Sequence, residues 1–354
     1  MTDDTGVADP TWPGLLSDLI RGEDQAVDTT AWAMEQILEG VATPAQMAAF
    51  LVALRAKGET VDELTGLART MIKYATPLEV PGPALDIVGS GGDRAGTVNI
   101  STMAAIVAAA AGTRVVKHGN RAASSACGSA DLLQELGLVL DLTPEQQHQV
   151  IAKAGIGFLF AAHYHPAFRH AGPVRRELGV PTAFNFLGPL TNPAQPSAVA
   201  VGVADARMAG LLAGVFASRG QQGLVFHGDD GLDELTTTTS SKVWVFGPDT
   251  ELTTLEFDPA ALGLARSRPE DLVGGPPPVN AQIARDVLAG AAGPVRDIVL
   301  LNAAAGLTAW DGPQPDRLVA QLGDNLQRVA TAIDTGAAAA QLEQWVTLSR
   351  AVAS

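Results

Sequence analysis

Chemistry in this sequence gathers in four polar stretches. The first is Gly89-Ser90-Gly91-Gly92-Asp93, followed by Asn99-Ile100-Ser101-Thr102 ahead of a small-apolar run. Glycine tolerates positive φ and lets a ligand approach the backbone. A glycine turn leading to a helix N-terminus can face an anion with several N–H groups. The same pattern also serves plain close packing. The spacing matches neither a P-loop nor a G-x-G-x-x-G dinucleotide site.

The second stretch is Lys117-His118-Gly119-Asn120-Arg121-Ala122-Ala123-Ser124-Ser125. Lys117 and Arg121 bring charge, and Gly119 and the serines bring backbone and hydroxyl donors. The third holds Asp233 and Glu234 within Gly231-Leu232-Asp233-Glu234-Leu235. Adjacent carboxylates do not share a helix face, but in a loop they can converge on a hard cation. Mg²⁺ takes one or two protein carboxylates, then water and substrate phosphate oxygens; the Ser101 hydroxyl is a further ligand candidate. The fourth runs from His163-Tyr164-His165-Pro166 to Arg175-Arg176. Two histidines at i, i+2 without a third ligand do not make a zinc site, so His165 is read as capping or lining a pocket. An arginine here can take a carboxylate in a bidentate fork, or simply sit at the surface near a helix end.

The elements that must position these residues follow from local pattern. From Trp12 to about Leu78 the spacing is helical. Thr43-Pro44-Ala45-Gln46 is a capping box with Pro at the first helical position. Asp28-Thr29-Thr30 is read as a cap for Ala31–Leu38, and Thr60 starts another helix. Pro77, Pro81 and Pro83 punctuate a linker. The grammar then changes to strand Leu85–Val88, helix Ser101–Ala111, strand Thr113–Lys117, helix Ser125–Leu136, a helix from Pro144 and strand Ile156–Phe160. His163–Leu178 reads as a helix and residues 180–196 as an ordered loop. Ala198–Val203, Asp205–Arg219 and Gly223–His227 resume strand, helix, strand; Lys242–Phe246 is a further strand, and four helices close the chain. The expected fold is α/β, a mostly parallel central sheet flanked by helices, with a smaller all-helical N-terminal domain. The expected boundary puts 1–80 in the helical domain, completed by about 160–190, and 81–354 in the α/β domain. In such a sheet the strand-to-helix loops lie together at the carboxyl edge.

The formal net charge is −15 over 354 residues. That speaks against a nucleic-acid or anionic-membrane surface, and a polyanionic ligand would need a local basic or cation site. No apolar run is long enough to span a membrane. The N-terminus lacks signal-peptide character, and Cys127 is the sole cysteine, so a cytoplasmic setting is expected.

Taken in order, Gly89-Ser90-Gly91-Gly92-Asp93, Asn99–Thr102, Lys117–Ser125, Phe186-Leu187-Gly188-Pro189-Leu190-Thr191-Asn192-Pro193 and Gly231–Leu235 closely resemble the anthranilate phosphoribosyltransferase family, across nearly the whole chain. The resemblance implies transfer of a phosphoribosyl group from phosphoribosyl diphosphate (PRPP) to the amine of anthranilate, in tryptophan biosynthesis. It implies that PRPP is held by Gly89, Gly92, Asp93, Thr97, Asn99, Ile100, Ser101, Thr102, Lys117 through Ser125, and Ser129. Anthranilate would meet Gly89, Asn120, His165 and Arg175, the last through its carboxylate; this reverses the surface reading of Arg175. Lys117, Asn120 and Arg175 would be the catalytic set. Mg²⁺, two ions per monomer, would sit on Ser101, Asp233 and Glu234. A homodimer through the helical domain is implied as well. Nothing in the sequence says whether a glutamine amidotransferase associates, and the chain lacks the nucleophile motif to contain one. Ser90 replaces the usual threonine of GTGGD, Ala162 stands where proline is common, and Phe168 occupies a variable position. The competing readings are a pyrimidine nucleoside phosphorylase, which would not need paired Mg²⁺ carboxylates, and a non-catalytic nucleic-acid-binding relative, which would want a basic groove.

Overall fold

The structure, a computed structural model, describes residues 9–122 and 126–353. The N-terminal helices are α1 (Trp12–Ile20), α2 (Val27–Leu38), α3 (Pro44–Lys57) and α4 (Val61–Lys73). Capping boxes start α3 at Thr43 and α4 at Thr60, each satisfying two otherwise unpaired backbone donors. The expected cap at Asp28–Thr30 is not one. The helix already starts at Val27, and Thr30 lies buried inside it, its hydroxyl donating to the Val27 carbonyl at 3.2 Å. The neighbouring segment is held instead by buried Glu63, whose carboxylate accepts from the Gln25 and Thr60 amides, both at 2.9 Å.

The α/β layer then runs β1 (Leu85–Gly89), α5 (Ile100–Ala110), β2 (Val115–Gly119), α6 (Ser129–Glu135), α7 (Pro144–Ala154) and β3 (Ile156–Phe160). After α8 (Ala161–Tyr164), a 3₁₀ turn at Pro166–His170, α9 (Gly172–Leu178) and α10 (Leu187–Leu190), it resumes with β4 (Ala198–Gly202), α11 (Ala206–Ser218), β5 (Gln222–Gly228), β6 (Ser241–Gly247) and β7 (Thr250–Phe257). Helices α12 (Pro277–Leu288), α13 (Pro294–Asp311), α14 (Leu318–Asp334) and α15 (Ala337–Ala353) complete the chain. None of the described helices is long and apolar enough to cross a membrane.

The seven-stranded sheet has the order β3-β2-β1-β4-β5-β6-β7. The first five in that order are parallel; β6 pairs antiparallel with both β5 and β7. Alternation splits each central strand between two cores. Ala198 and Ala200 of β4 face the layer of α5 and α13, whereas Val199 and Val201 face the helical domain and α11. This is the two-sided burial expected of parallel strands. The expected fold class is therefore what the chain adopts.

Local assignments differ in instructive places. Strand β2 begins two residues later than expected and runs past Lys117 to take in His118 and Gly119, which lie beyond the expected strand. Its register against β3 extends to Gly119 opposite Phe160, and both polar side chains find partners inside the protein. Helix α6 starts at Ser129, not at Ser125, because the Gly128 amide donates to Asp131 at 3.0 Å and closes the turn there. His163–Leu178 is broken into α8, a 3₁₀ turn and α9, as Pro166 and Pro173 require. Strand β7, unassigned from sequence, is the sheet edge with an alternating, half-exposed pattern.

Candidate active site

Strands β1, β2, β4 and β5 all end on glycine, at Gly89, Gly119, Gly202 and Gly228. Being parallel, they present those ends on one edge. Strand β1 has β2 on one side and β4 on the other, so the crossover direction reverses beside it, the place where open α/β sheets form a ligand crevice. Asp233 packs into this switch point. A Cβ on Gly89 would overlap its carboxylate, and a Cβ on Gly202 would overlap its backbone. Those two glycines are thus required by the approach of one acidic residue.

The glycine turn wraps the same carboxylate. The Gly91 amide donates to Asp233 Oδ2 at 2.6 Å, and the Ser90 amide donates to the Gly202 carbonyl at 2.9 Å. Glu234 reaches the N-terminus of α5, where its Oε1 accepts from the Ser101 amide at 3.2 Å. Asn99 stands at the N-cap of α5 but does not cap it. Its amide donates to the Cys127 carbonyl and its oxygen accepts from Asn280, both at 2.9 Å, tying the helix start to α12. Thr97 bridges Val273, and the Val98 amide donates to the Leu272 carbonyl.

Lys117 is only 1% exposed. Its Nζ donates to the Ile87 carbonyl at 2.6 Å and to Ser101 Oγ at 3.2 Å. Burial lowers its pKa, opposed by Asp86, Glu234 and Asp233. Burial, then the charge of Asp93, raises Asp233 to about 7. Burial, then Asp233, pushes Glu234 well above the usual carboxylate range, with Lys117 pulling the other way. One ammonium thus faces a crowd of carboxylates. Behind it Asp86, raised by burial to about 6, accepts from Asn192 Nδ2 at 2.8 Å and from the His118 amide at 3.4 Å.

The far wall is built differently. His118 Nδ1 lies 3.1 Å from the Gly188 carbonyl and His165 Nε2 lies 2.9 Å from the Thr191 carbonyl. Each ring N–H donates to a backbone carbonyl of the 187–193 segment, and the rings meet edge-on with centroids 5.2 Å apart. Burial pushes His118 down to about 3 and His165 to about 4, so both are neutral at pH 7. Arg175 sits over the Phe168 ring at 5.2 Å, and Phe168 rests on Phe184 at 5.3 Å. Burial lowers the Arg175 pKa; its guanidinium has no carboxylate partner and no hydrogen bond among the described residues.

These groups line one cavity of about 1300 Å³. Of the residues singled out from sequence, Gly89, Gly92, Asp93, Thr97, Asn99, Ile100, Ser101, Lys117 through Ala122, Ser129, His165, Arg175, Asp233 and Glu234 border it. Thr102 is buried behind them in α5. Ala123, Ser124 and Ser125 lie outside the described residues. Arg121 commits its charge to Asp131 at 2.7 Å and its other arm to Gln134 at 2.8 Å. His163 is exposed and faces Asp141 at 3.7 Å. Among the described residues no three His, Cys, Asp or Glu side chains form a ready metal cage. Sequence reasoning missed Arg55, which reaches the cavity from α3, lies over the Phe186 ring at 5.9 Å and pairs with Asp205 at 2.9 Å. No local motif marks it, since its place depends on how the helical domain docks.

A helical bundle beside an α/β layer, with the cleft at the switch point between them, defines the class. Residues 13–75 match the helical bundle domain of the glycosyl transferase family and residues 81–339 match its a/b domain. The chain is 57% identical to the anthranilate phosphoribosyltransferase of Arthrobacter sp. (strain FB24), covering 96% of each chain. It is 58% identical to that of Acidothermus cellulolyticus, covering 99% of this chain and 98% of the relative. The crystal structure of anthranilate phosphoribosyltransferase from Thermus thermophilus superposes with a TM-score of 0.88 at 41% identity, over 95% of this chain and 99% of that one. The Saccharomyces cerevisiae enzyme in complex with PRPP and Mg gives 0.86 at 25% identity, over 96% and 98%. The chain belongs to the anthranilate phosphoribosyltransferase family.

Proposed function

We infer that the protein transfers the phosphoribosyl group of PRPP to the amine of anthranilate, giving N-(5-phosphoribosyl)anthranilate and diphosphate, a step of tryptophan biosynthesis. The observation that carries this reading is the buried Asp233–Glu234 pair at the switch point, wrapped by the glycine turn and facing Lys117 and Ser101. Near-identical length and majority identity to relatives of that name leave the phosphorylase alternative without support. The net charge of −15 still speaks against a nucleic-acid-binding relative.

Mg²⁺ fits this chemistry. The Asp233 and Glu234 carboxylates are buried and crowded, with Lys117 beside them, and Mg²⁺ takes one or two protein carboxylates and completes its sphere with water and substrate phosphate oxygens. Asp233, Glu234 and the Ser101 hydroxyl would hold it, with two ions per monomer. When bound, it would neutralise charge gathering on the departing diphosphate.

The protein's own groups do the rest. Bond breaking at the anomeric carbon sends its electron pair to the diphosphate, and the backbone N–H groups of Gly92 and Asp93 donate to that end. Lys117 has two of its donors engaged and acts chiefly through its field, holding Ser101 and offsetting the carboxylates. Thr97, Asn99 to Thr102, His118 to Ser125 and Ser129 make up the remaining PRPP site. Anthranilate enters on the far wall, where Arg175 takes its carboxylate, Gly89 and Asn120 orient its amine, and His165 lines the pocket. An aromatic amine is neutral at pH 7, so no general base is needed to free its lone pair; the proton leaves after attack. The protein is expected to be cytoplasmic and a homodimer through the helical domain.

The reaction is tested by following anthranilate fluorescence with PRPP and Mg²⁺. Loss of signal with wild type, abolished in Asp233→Ala/Glu234→Ala, supports it. An unchanged signal, with phosphate-dependent cleavage of a pyrimidine nucleoside instead, would overturn it.

A further inference from the structure

The glycine turn contains a residue that its geometry does not call for. Arg94 has φ 59°, between Gly92 at φ 90° and Gly96 at φ 65°. Glycine would take this left-handed backbone freely, whereas a long side chain takes it only under strain. Both ends of the turn are tied down. The Gly91 amide donates to Asp233, and the Gly96 carbonyl accepts from the Gly274 amide at 2.9 Å. Within the turn, the Ala95 amide donates to Asp93 Oδ1 at 3.3 Å. The fold therefore holds Arg94 in this conformation, at the rim of the cavity, with its side chain exposed.

That side chain makes no hydrogen bond, ion pair or ring contact among the described residues. It differs in this from Arg121, which Asp131 neutralises, and from Lys117, which is buried. Strain kept at a ligand-facing turn marks function when nothing in the resting structure repays it. We propose that Arg94 is a substrate-binding residue that folds over the diphosphate end of PRPP, supplying mobile positive charge beside the acidic pair. The diphosphate is the end concerned because Arg94 lies on the same short turn as the Gly91 amide and Asp93, which border the carboxylate pair. This assignment rests on the reaction inferred above.

The test uses Arg94→Asn and Arg94→Gly, which remove the charge and accept positive φ. Both are expected to melt no lower than wild type. Both should raise the KM for PRPP about tenfold, roughly 1.4 kcal/mol, with the KM for anthranilate within twofold. Inhibition by magnesium pyrophosphate should weaken by about the same factor, while inhibition by ribose 5-phosphate stays unchanged. Calorimetric titration of magnesium pyrophosphate into each protein reads the same site without turnover, so it tests Arg94 even if anthranilate proves not to be the acceptor. Pyrophosphate affinity within twofold of wild type in either variant would overturn the proposal. So would equal weakening for ribose 5-phosphate.

Discussion

The two walls of the cleft handle charge in opposite ways. On the Asp233 side each buried charged group is already held by a hydrogen bond, and only exposed Arg94 at the rim is left without one among the described residues. Lys117 is bonded to Ile87 and Ser101, Asp233 to the Gly91 amide and Glu234 to the Ser101 amide. On the other side Arg175 has only the face of Phe168. The first wall is built on strand ends, whose glycines fix atoms closely. The second is built on the short pieces α8, α9 and α10. A wall set on strands can hold several like charges in a strained but fixed arrangement. A wall of short helices supplies the uncompensated Arg175 guanidinium and apolar surface, which suits a flat aromatic acid.

Breaking the first wall should have the largest effect. Asp233→Ala/Glu234→Ala is expected to lower kcat/KM about 10³-fold or more, since it removes the cation's protein anchors; steady-state fluorescence kinetics check this. Lys117→Met should lower kcat about 10²–10³-fold, the scale of a lost preorganised donor. It should also lower the melting temperature, because the carboxylates lose the buried counter-charge of Lys117. Retained activity in Lys117→Met would mean that the carboxylates need no counter-charge.

The second wall should break more gently and more selectively. Arg175→Ala is expected to raise the KM for anthranilate about 30-fold, roughly 2 kcal/mol for a charge-assisted pair, with the KM for PRPP little changed. A loss shared equally between the substrates would erase the division into two walls. The smallest effect concerns His165. Its folded pKa of about 4 lies below the unfolded value near 6.5, so folding favours the neutral ring. That stability is complete above pH 6.5 and is lost as pH falls towards 4. At pH 5 the loss is about 2 kcal/mol. Urea unfolding should therefore show the cost of His165→Asn shrinking by about that amount from pH 7 to pH 5.

The first wall was also the more legible. Gly89, Gly91 and Gly92 advertise a backbone need that any neighbour-free reading detects, and strand–helix alternation placed their turn at a sheet edge. The pairing of Asp233 with Gly202 was invisible, because it joins residues far apart in sequence through van der Waals contact alone. His118 and Gly119 fall outside the expected strand because polar residues and glycine rarely end a buried one; here the Gly188 carbonyl meets the His118 ring, as Ile87 and Asp86 meet Lys117. Strand β7 escaped because its exposed threonines and glutamates dilute the alternation. The second wall was harder still. Local residue types left Arg175 ambiguous between surface and site, and only its seat on Phe168, itself packed on Phe184, separates the two. Arg55 carries no local signal at all.

The central claim is that Asp233 and Glu234 oppose folding in the absence of a cation and are kept for what they bind. It is tested most directly by melting wild type and Asp233→Asn/Glu234→Gln side by side at pH 7.5. In chelator the variant should melt above wild type, since its amides keep an oxygen for the Gly91 and Ser101 N–H groups without the crowded charge. With Mg²⁺ and pyrophosphate the order should reverse. A variant that melts below wild type in both conditions would show that the pair is a structural ion-pair element, and the account of this wall would fail.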